Sequence, residues 1–269
     1  MIPVKIILMT AILFFNSCAY FNKVSNRTPK KVKTERGPKG LFVLSDKSGE
    51  FVLERESGFN KSDGTQVVKR LVYSKGDQER KELEKSVAIS RYGKLKDKLP
   101  VLKPEVSQFT VWFESQKYFT EMRLDEKEKA LRVKVVSPEP QWNKTELVPL
   151  PKGTGVYCFF SQLVECVKAT GFFELAVEKD AGQMSFHVIW DGYPFFQEQY
   201  LDIPNEVISP VQLNYDGKNG SSERRFSFMF RNNVIFYLLE DDFEFYKMFW
   251  VSQGMSVSPN GVVLDEMDE

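Results

Sequence analysis

The amino-acid sequence predicts a mostly β protein, a long antiparallel meander with one short helix inserted around residues 156–168. Three observations lead there. Apolar residues recur at every second position through much of the chain, which places them on one face of a strand. Turn-forming residues break these runs at short intervals, and short connections join antiparallel neighbours. Clear helical spacing occurs once.

The alternation is plainest in three runs. Leu131, Val133 and Val135 alternate with Arg132 and Lys134. Met184, Phe186, Val188 and Trp190 alternate with Ser185, His187 and Ile189, and Phe226, Phe228 and Phe230 with Ser227, Met229 and Arg231. Comparable strands are expected at 41–45, 50–56, 66–74, 109–114, 117–124, 172–178, 194–201, 234–239 and 243–252. Turn chemistry stands at Asp46 to Gly49, Asp180 to Gly182, Asp216-Gly217 and Asn232-Asn233. Gln78 to Lys85 has helical composition, yet Leu83, Val87 and Ile89 obey strand alternation, so 83–91 reads as a strand. The helix is expected from Val156 to Lys168, where Phe159, Phe160, Leu163, Val164 and Val167 share one face after Pro151, Gly153 and Gly155.

No Pro/Gly/Ser-rich linker interrupts Leu41 to Ser258, so these residues are expected to form a single β domain. An acidic tail, 259–269, follows it. The N-terminus reads as an export signal over residues 1–17: Lys5 precedes the apolar run Ile6 to Phe15. As a helix that run spans roughly 15 Å, about half the hydrocarbon thickness of a bilayer. Between the signal and the β domain lies a tether, 18–40, in which Lys23, Arg27, Lys30, Lys31, Lys33, Arg36 and Lys39 face one acid, Glu35. It serves either as a solvated spacer or as an attraction to anionic headgroups and cell-wall polymers.

Over the whole chain the charges balance, with 37 basic and 37 acidic side chains, which gives no reason to expect nucleic acid as a partner. At 42% hydrophobic and 14% aromatic, the chain is far from a disordered composition. Catalytic and cofactor motifs are sparse. His187 is the one histidine and cannot supply a two-His metal site, so neither metal nor cofactor is expected. With Asp191 and Cys158 it could form a nucleophilic triad, but nothing in the sequence positions the three. Asp191, Asp202, Glu240, Asp241 and Asp242 could serve carboxylate-only glycan hydrolysis, although Glu240 to Asp242 reads equally as a solvated turn. Cys158 and Cys166 are candidates for a disulfide. In a continuous helix their Cα atoms would stand roughly 12 Å apart, so pairing requires the helix to begin late, end early or break.

Phe15-Asn16-Ser17-Cys18 resembles the lipobox of bacterial lipoproteins, which implies lipidation of Cys18 and, with Ala19 following, sorting to an outer membrane facing the periplasm. Ordinary cleavage after Ala19 is the alternative. Pro151 to Thr154, Tyr157 to Val167 and Trp250 to Ser252 resemble the turn, central helix and near-terminal strand of periplasmic lipoprotein carriers and related exported β proteins. That resemblance implies a wrapped half-barrel, and among sandwich, barrel and large curled antiparallel sheet it favours the curled sheet. Its concave face could hold an acyl chain, with Phe159, Phe160, Phe186, Trp190 and Phe228 as candidate lining, although such residues equally build ordinary cores.

Three functions follow as expectations. The first is a noncatalytic, lipid-anchored envelope protein that binds a hydrophobic ligand or another envelope protein. The second is a structural or assembly lipoprotein without a ligand. The third is a glycan hydrolase of the cell wall.

Overall fold

A computed structural model describes residues 41–46, 48–75, 80–95, 99–152, 155–200, 202–219 and 223–259. The expected signal and tether, Cys18 included, Gly153-Thr154 and the residues beyond Pro259 lie outside the described residues.

The fold is one curled sheet of 15 strands. Seven antiparallel hairpin steps join β1 (Leu41–Ser45), β2 (Phe51–Asn60), β3 (Thr65–Lys75), β4 (Arg80–Lys94), β5 (Pro100–Phe113), β6 (Gln116–Asp125), β7 (Ala130–Val136) and β8 (Lys144–Pro149). The chain then crosses to the far edge of the sheet. There β9 (Tyr157–Phe159) runs parallel to β10 (Gln183–Ile189). From β10 it returns through β11 (Ile208–Asn219), β12 (Glu223–Phe230), β13 (Asn233–Leu239), β14 (Phe245–Trp250) and β15 (Met255–Pro259). β15 closes the path against β1, pairing Leu44 with Pro259 and Ser45 with Ser258. First and last strands therefore meet in the middle of the sheet. The β2–β3, β4–β5, β6–β7 and β13–β14 turns occupy one rim, and both described ends of the chain point to it.

The predicted alternation holds where one face meets the core. Leu131, Val133 and Val135 are buried and Arg132 and Lys134 exposed; Phe226, Phe228 and Phe230 are fully buried. In β4 the expected strand forms with its faces inverted: Glu84, Ser86, Ala88 and Ser90 are buried while Leu83, Val87 and Ile89 are half-exposed.

Between β9 and β11 the chain is more helical than predicted. The expected helix over 156–168 does not start at Val156: β9 comes first, a 3-10 turn spans Phe160–Gln162, and α1 covers Leu163–Ala169. Residues 172–178, expected as a strand, form α2 (Phe172–Glu178). Phe173 and Ala176, three positions apart, are its buried pair, and Gly171, in the left-handed region at φ 75°, turns the chain out of α1. Residues 194–201, also expected as a strand, contain α3 (Phe195–Gln199), with Phe195 and Phe196 adjacent and both buried, which strand alternation forbids. Asp216-Gly217 is not a hairpin turn but a bulge inside β11, where the register with β12 shifts.

The late start of α1 brings Cys158, on β9, within 5.7 Å (Cα–Cα) of Cys166, on α1, and the two are disulfide-bonded. A loop this short gives about 2.5 kcal/mol in the chain-entropy account. The Cys158→Ala/Cys166→Ala variant is expected to lose about that much unfolding free energy in a urea titration; an unchanged midpoint would show that the bond stabilises nothing.

Candidate functional site

The segment from β9 to α3 lies in the concavity of the sheet, where both halves contact it. Toward β12–β14 its contacts are apolar. The Phe160 ring packs on Trp250 at 6.0 Å and on Phe228 at 6.2 Å, and Phe173 packs edge-on against Phe226 at 4.7 Å. Toward β2–β6 it makes polar contacts as well as ring contacts of Phe196 with Phe109 at 6.0 Å and of Phe195 with Tyr118 at 5.1 Å. This division follows the helical spacing: Phe160, Leu163, Val164 and Val167 lie to one side, Ser161, Gln162 and Glu165 to the other.

Several buried polar groups of the insert meet partners on strands. Glu165 takes an ion pair from Arg55 at 2.5 Å and a hydrogen bond from Ser57 at 2.8 Å. Gln162, fully buried, accepts from Ser90 at 2.5 Å and donates to the Gln66 carbonyl at 3.0 Å. Asp191, just after β10, accepts from the Ser161 hydroxyl and backbone N–H and from Ser107. Beyond α3, Tyr200 donates to Glu84 at 3.1 Å, and Arg70 stands 3.6 Å from the other oxygen of that carboxylate. Thr120 donates to the Tyr193 carbonyl at 2.9 Å. Small or polar residues on the inner face of β2–β6 thus serve as sockets for the insert. Gly192 belongs to the same fit, since a Cβ there would stand 2.9 Å from Phe109.

Burial sets the electrostatics. It raises the Glu84 carboxyl above its ordinary range, more than Arg70 and the Tyr200 hydroxyl lower it. It raises Asp191 likewise, against the Ser161 hydrogen bond and the Arg70 charge. At Glu165 burial also pushes upward, but Arg55 and the Ser57 hydroxyl outweigh it and hold the carboxyl below its ordinary value.

Between insert and sheet remains a cavity of about 50 Å³, bordered by Arg55, Arg70, Phe160, Tyr200, Tyr237 and Trp250 among others. This is room for a few water molecules, well short of the ~300 Å³ at which small-ligand pockets begin. Of the candidate lining residues only Phe160 borders it. Phe159, Phe186, Trp190 and Phe228 are no more than 1% exposed and belong to the main core. A shallow depression of about 480 Å³ at the β5–β6 turn is open to solvent and includes Phe113, Tyr118 and Glu139.

The candidate catalytic groups are not brought together as one nucleophilic unit. The Cys158 sulfur is in the disulfide, His187 stacks on Tyr157 at 5.6 Å, and Asp191 is bonded to Ser161 and Ser107. Glu240 to Asp242 lie in the β13–β14 turn, where Asp241 pairs with Arg224 at 3.0 Å and Asp242 caps the Glu244 N–H. Asp202 is exposed. Among the described residues no group of three or more His, Cys, Asp or Glu is arranged to hold a metal ion, and no helix is long and apolar enough to cross a membrane. Comparison of the chain with protein-family models, curated proteins and solved structures gave no match.

The residues that matter most here, Arg55, Gln66, Arg70, Glu84, Ser90, Ser107 and Gln162, are not singled out by the sequence. Their one signal is polar side chains recurring on alternate positions of long strands, which from sequence alone reads as a solvent face.

Glu165 supports a pH-dependent test. Its folded carboxyl titrates below its unfolded value, ordinarily about 4.3. The resulting stability is fully present above that value and is lost as pH falls through the folded pKa. Glu165→Gln, which leaves Arg55 buried without its counter-charge, is expected to cost about 3 kcal/mol at neutral pH and to shrink the loss on acidification. Urea unfolding at pH 7 and pH 3 checks both; equal acid sensitivity of the two proteins would remove Glu165 as the cause.

Proposed function

We propose that this chain is a noncatalytic lipoprotein of the bacterial envelope, anchored through Cys18, whose curled sheet acts through its outer surfaces on other envelope components. The observation that carries this reading is the filled concavity. A carrier needs an enclosed apolar space, and here the chain's own helical insert occupies the space inside the sheet, with a cavity of only about 50 Å³ between Phe160, Trp250 and Tyr237. The insert is bonded to strands on one side and packed on aromatic rings on the other, so it cannot leave without uncovering the buried Arg55, Glu84 and Asp191. The acids weighed for glycan hydrolysis support the same reading. Asp191 is 3% exposed and Asp241 and Asp242 stand exposed in the β13–β14 turn, whereas a retaining or inverting pair must line an open groove.

Two measurements test this. Cells expressing the chain with labelled palmitate are expected to yield a labelled protein in the outer-membrane fraction, with the label lost in Cys18→Ser; an unlabelled wild-type chain would overturn anchoring. Native mass spectrometry of the purified protein is expected to show no stoichiometric acyl ligand within the fold. A bound lipid at one per chain, resistant to exchange, would overturn the filled-concavity reading in favour of carriage.

A further inference from the structure

The rim toward which both described ends of the chain point also carries an exposed aromatic pair. Phe59, near the end of β2, and Tyr92, in β4, are 49% and 41% exposed and pack edge-to-face with ring centres 4.9 Å apart. They stand on the concave side, one step beyond the sockets that hold the insert: Ser57, two residues before Phe59, bonds to Glu165, and Ser90, two before Tyr92, to Gln162. The β2–β3 turn is fixed beneath the pair, because the Tyr92 N–H donates to the Gly64 carbonyl at 2.8 Å. The rings are therefore held in place rather than left on a loose tip.

The cations around this pair outnumber the acids left unpaired. Lys61 in the turn, Lys94 at the end of β4 and Lys103 on β5 are exposed; Lys94 shares the face of Tyr92, and the Lys103 stem lies across Gly93 on the opposite face of the same rim. Of the nearby acids, Glu105 is paired with Arg91 at 2.6 Å, and Asp63 accepts from the Thr65 N–H at 3.0 Å. The β6–β7 turn of the same rim mixes Asp125, Glu126 and Glu128 with Lys127 and Lys129, and the β13–β14 turn is acidic. Rings that are amphipathic or apolar, flanked by lysines, are the side chains that settle at a bilayer interface.

Geometry points the same way. Leu41 pairs with Glu56, four residues short of the end of β2, so the hairpin tip reaches roughly 13 Å beyond the start of β1. The residues between Cys18 and Leu41 could span at most about 75 Å extended, ample for this rim to meet the surface in which Cys18 is anchored, and they carry seven basic residues against one acid. We propose that the tip of the β2–β3 hairpin docks the folded part onto an anionic lipid surface, with Phe59 and Tyr92 entering the interface and Lys61, Lys94 and Lys103 meeting headgroups. That pose requires the acidic β13–β14 turn, on the same rim, to tilt away from the surface. This rests on the anchoring reading, which decides that the rim faces a bilayer.

The test uses the mature chain, residues 18–269, carrying Cys18→Ser so that no acyl group contributes. It is expected to float with phosphatidylcholine vesicles containing phosphatidylglycerol and much less with phosphatidylcholine alone. Phe59→Ser/Tyr92→Ser is expected to lower the vesicle-bound fraction about fivefold, the ratio that half-burying one Phe ring would give. Lys61→Ala should lower it by a similar factor, and only on the anionic vesicles. Both aromatic side chains are half-exposed and lie outside the main core, so circular dichroism should not change and the unfolding midpoint should fall only slightly, and a Phe59→Trp chain should be quenched by brominated lipid. Equal flotation of parent and double variant, or no flotation of the parent, overturns the proposal. Loss of palmitate labelling from the wild-type chain overturns anchoring instead and leaves the vesicle result standing.

Discussion

The fold depends on a short two-sided segment, Phe160 to Val167, that satisfies the two halves of the sheet by different chemistry. A sheet of 15 strands curled into an open trough has more inner surface than its own side chains can cover, and no edge-to-edge closure to seal it. The insert resolves this by presenting aromatic and aliphatic groups to β12–β14 and a Gln and a Glu to β2–β4, while Ser161 binds Asp191, which accepts in turn from Ser107 on β5. Gln162 shows the constraint most sharply. With no exposure, its amide must find a donor and an acceptor inside the protein, and Ser90 and the Gln66 carbonyl supply them. Because those partners sit on β3 and β4, the insert is held in one register against the sheet.

The same segment explains the topology. The described chain starts in mid-sheet, runs to one edge, crosses through the insert to the other edge and returns, so the crossing is also the filling. The Cys158–Cys166 disulfide lies where the crossing enters the core, tying the parallel edge strand to α1. The outcome is a trough whose inner wall is spent on structure, which leaves rims, edges and the outer face for contact with anything else.

Much of this was legible in particular residues. The runs at 131–135 and 226–230 have neighbours that are apolar in bulk, so alternation alone places their faces correctly. β4 shows where that reasoning breaks. Leu83, Val87 and Ile89 look like a core face, yet Glu84, Ser86, Ala88 and Ser90 are the buried ones, because the surface they meet is the polar side of the insert rather than another apolar layer. The helical stretches at 172–178 and 195–199 failed for a related reason. A segment rich in Phe alternates well enough to resemble a strand, and only packing against a curved sheet selects the helix. Glu84 and Asp191, the two deeply buried acids, were no more conspicuous in the sequence than the solvated Asp241 and Asp242.

The sequence by itself determined the mostly β character of the chain and the positions of most strands, because period-two apolar patterning and turn residues are local properties that need no partner. It also carried an export-like N-terminus and two cysteines able to pair if the helix between them began late. Tertiary structure alone decided which face of each long strand turns inward, which carboxylates lose water, and that the trough is occupied rather than empty. Those outcomes depend on which surfaces meet across more than a hundred residues of chain, as Arg55 meets Glu165 and Glu84 meets Tyr200, and no local pattern encodes that meeting.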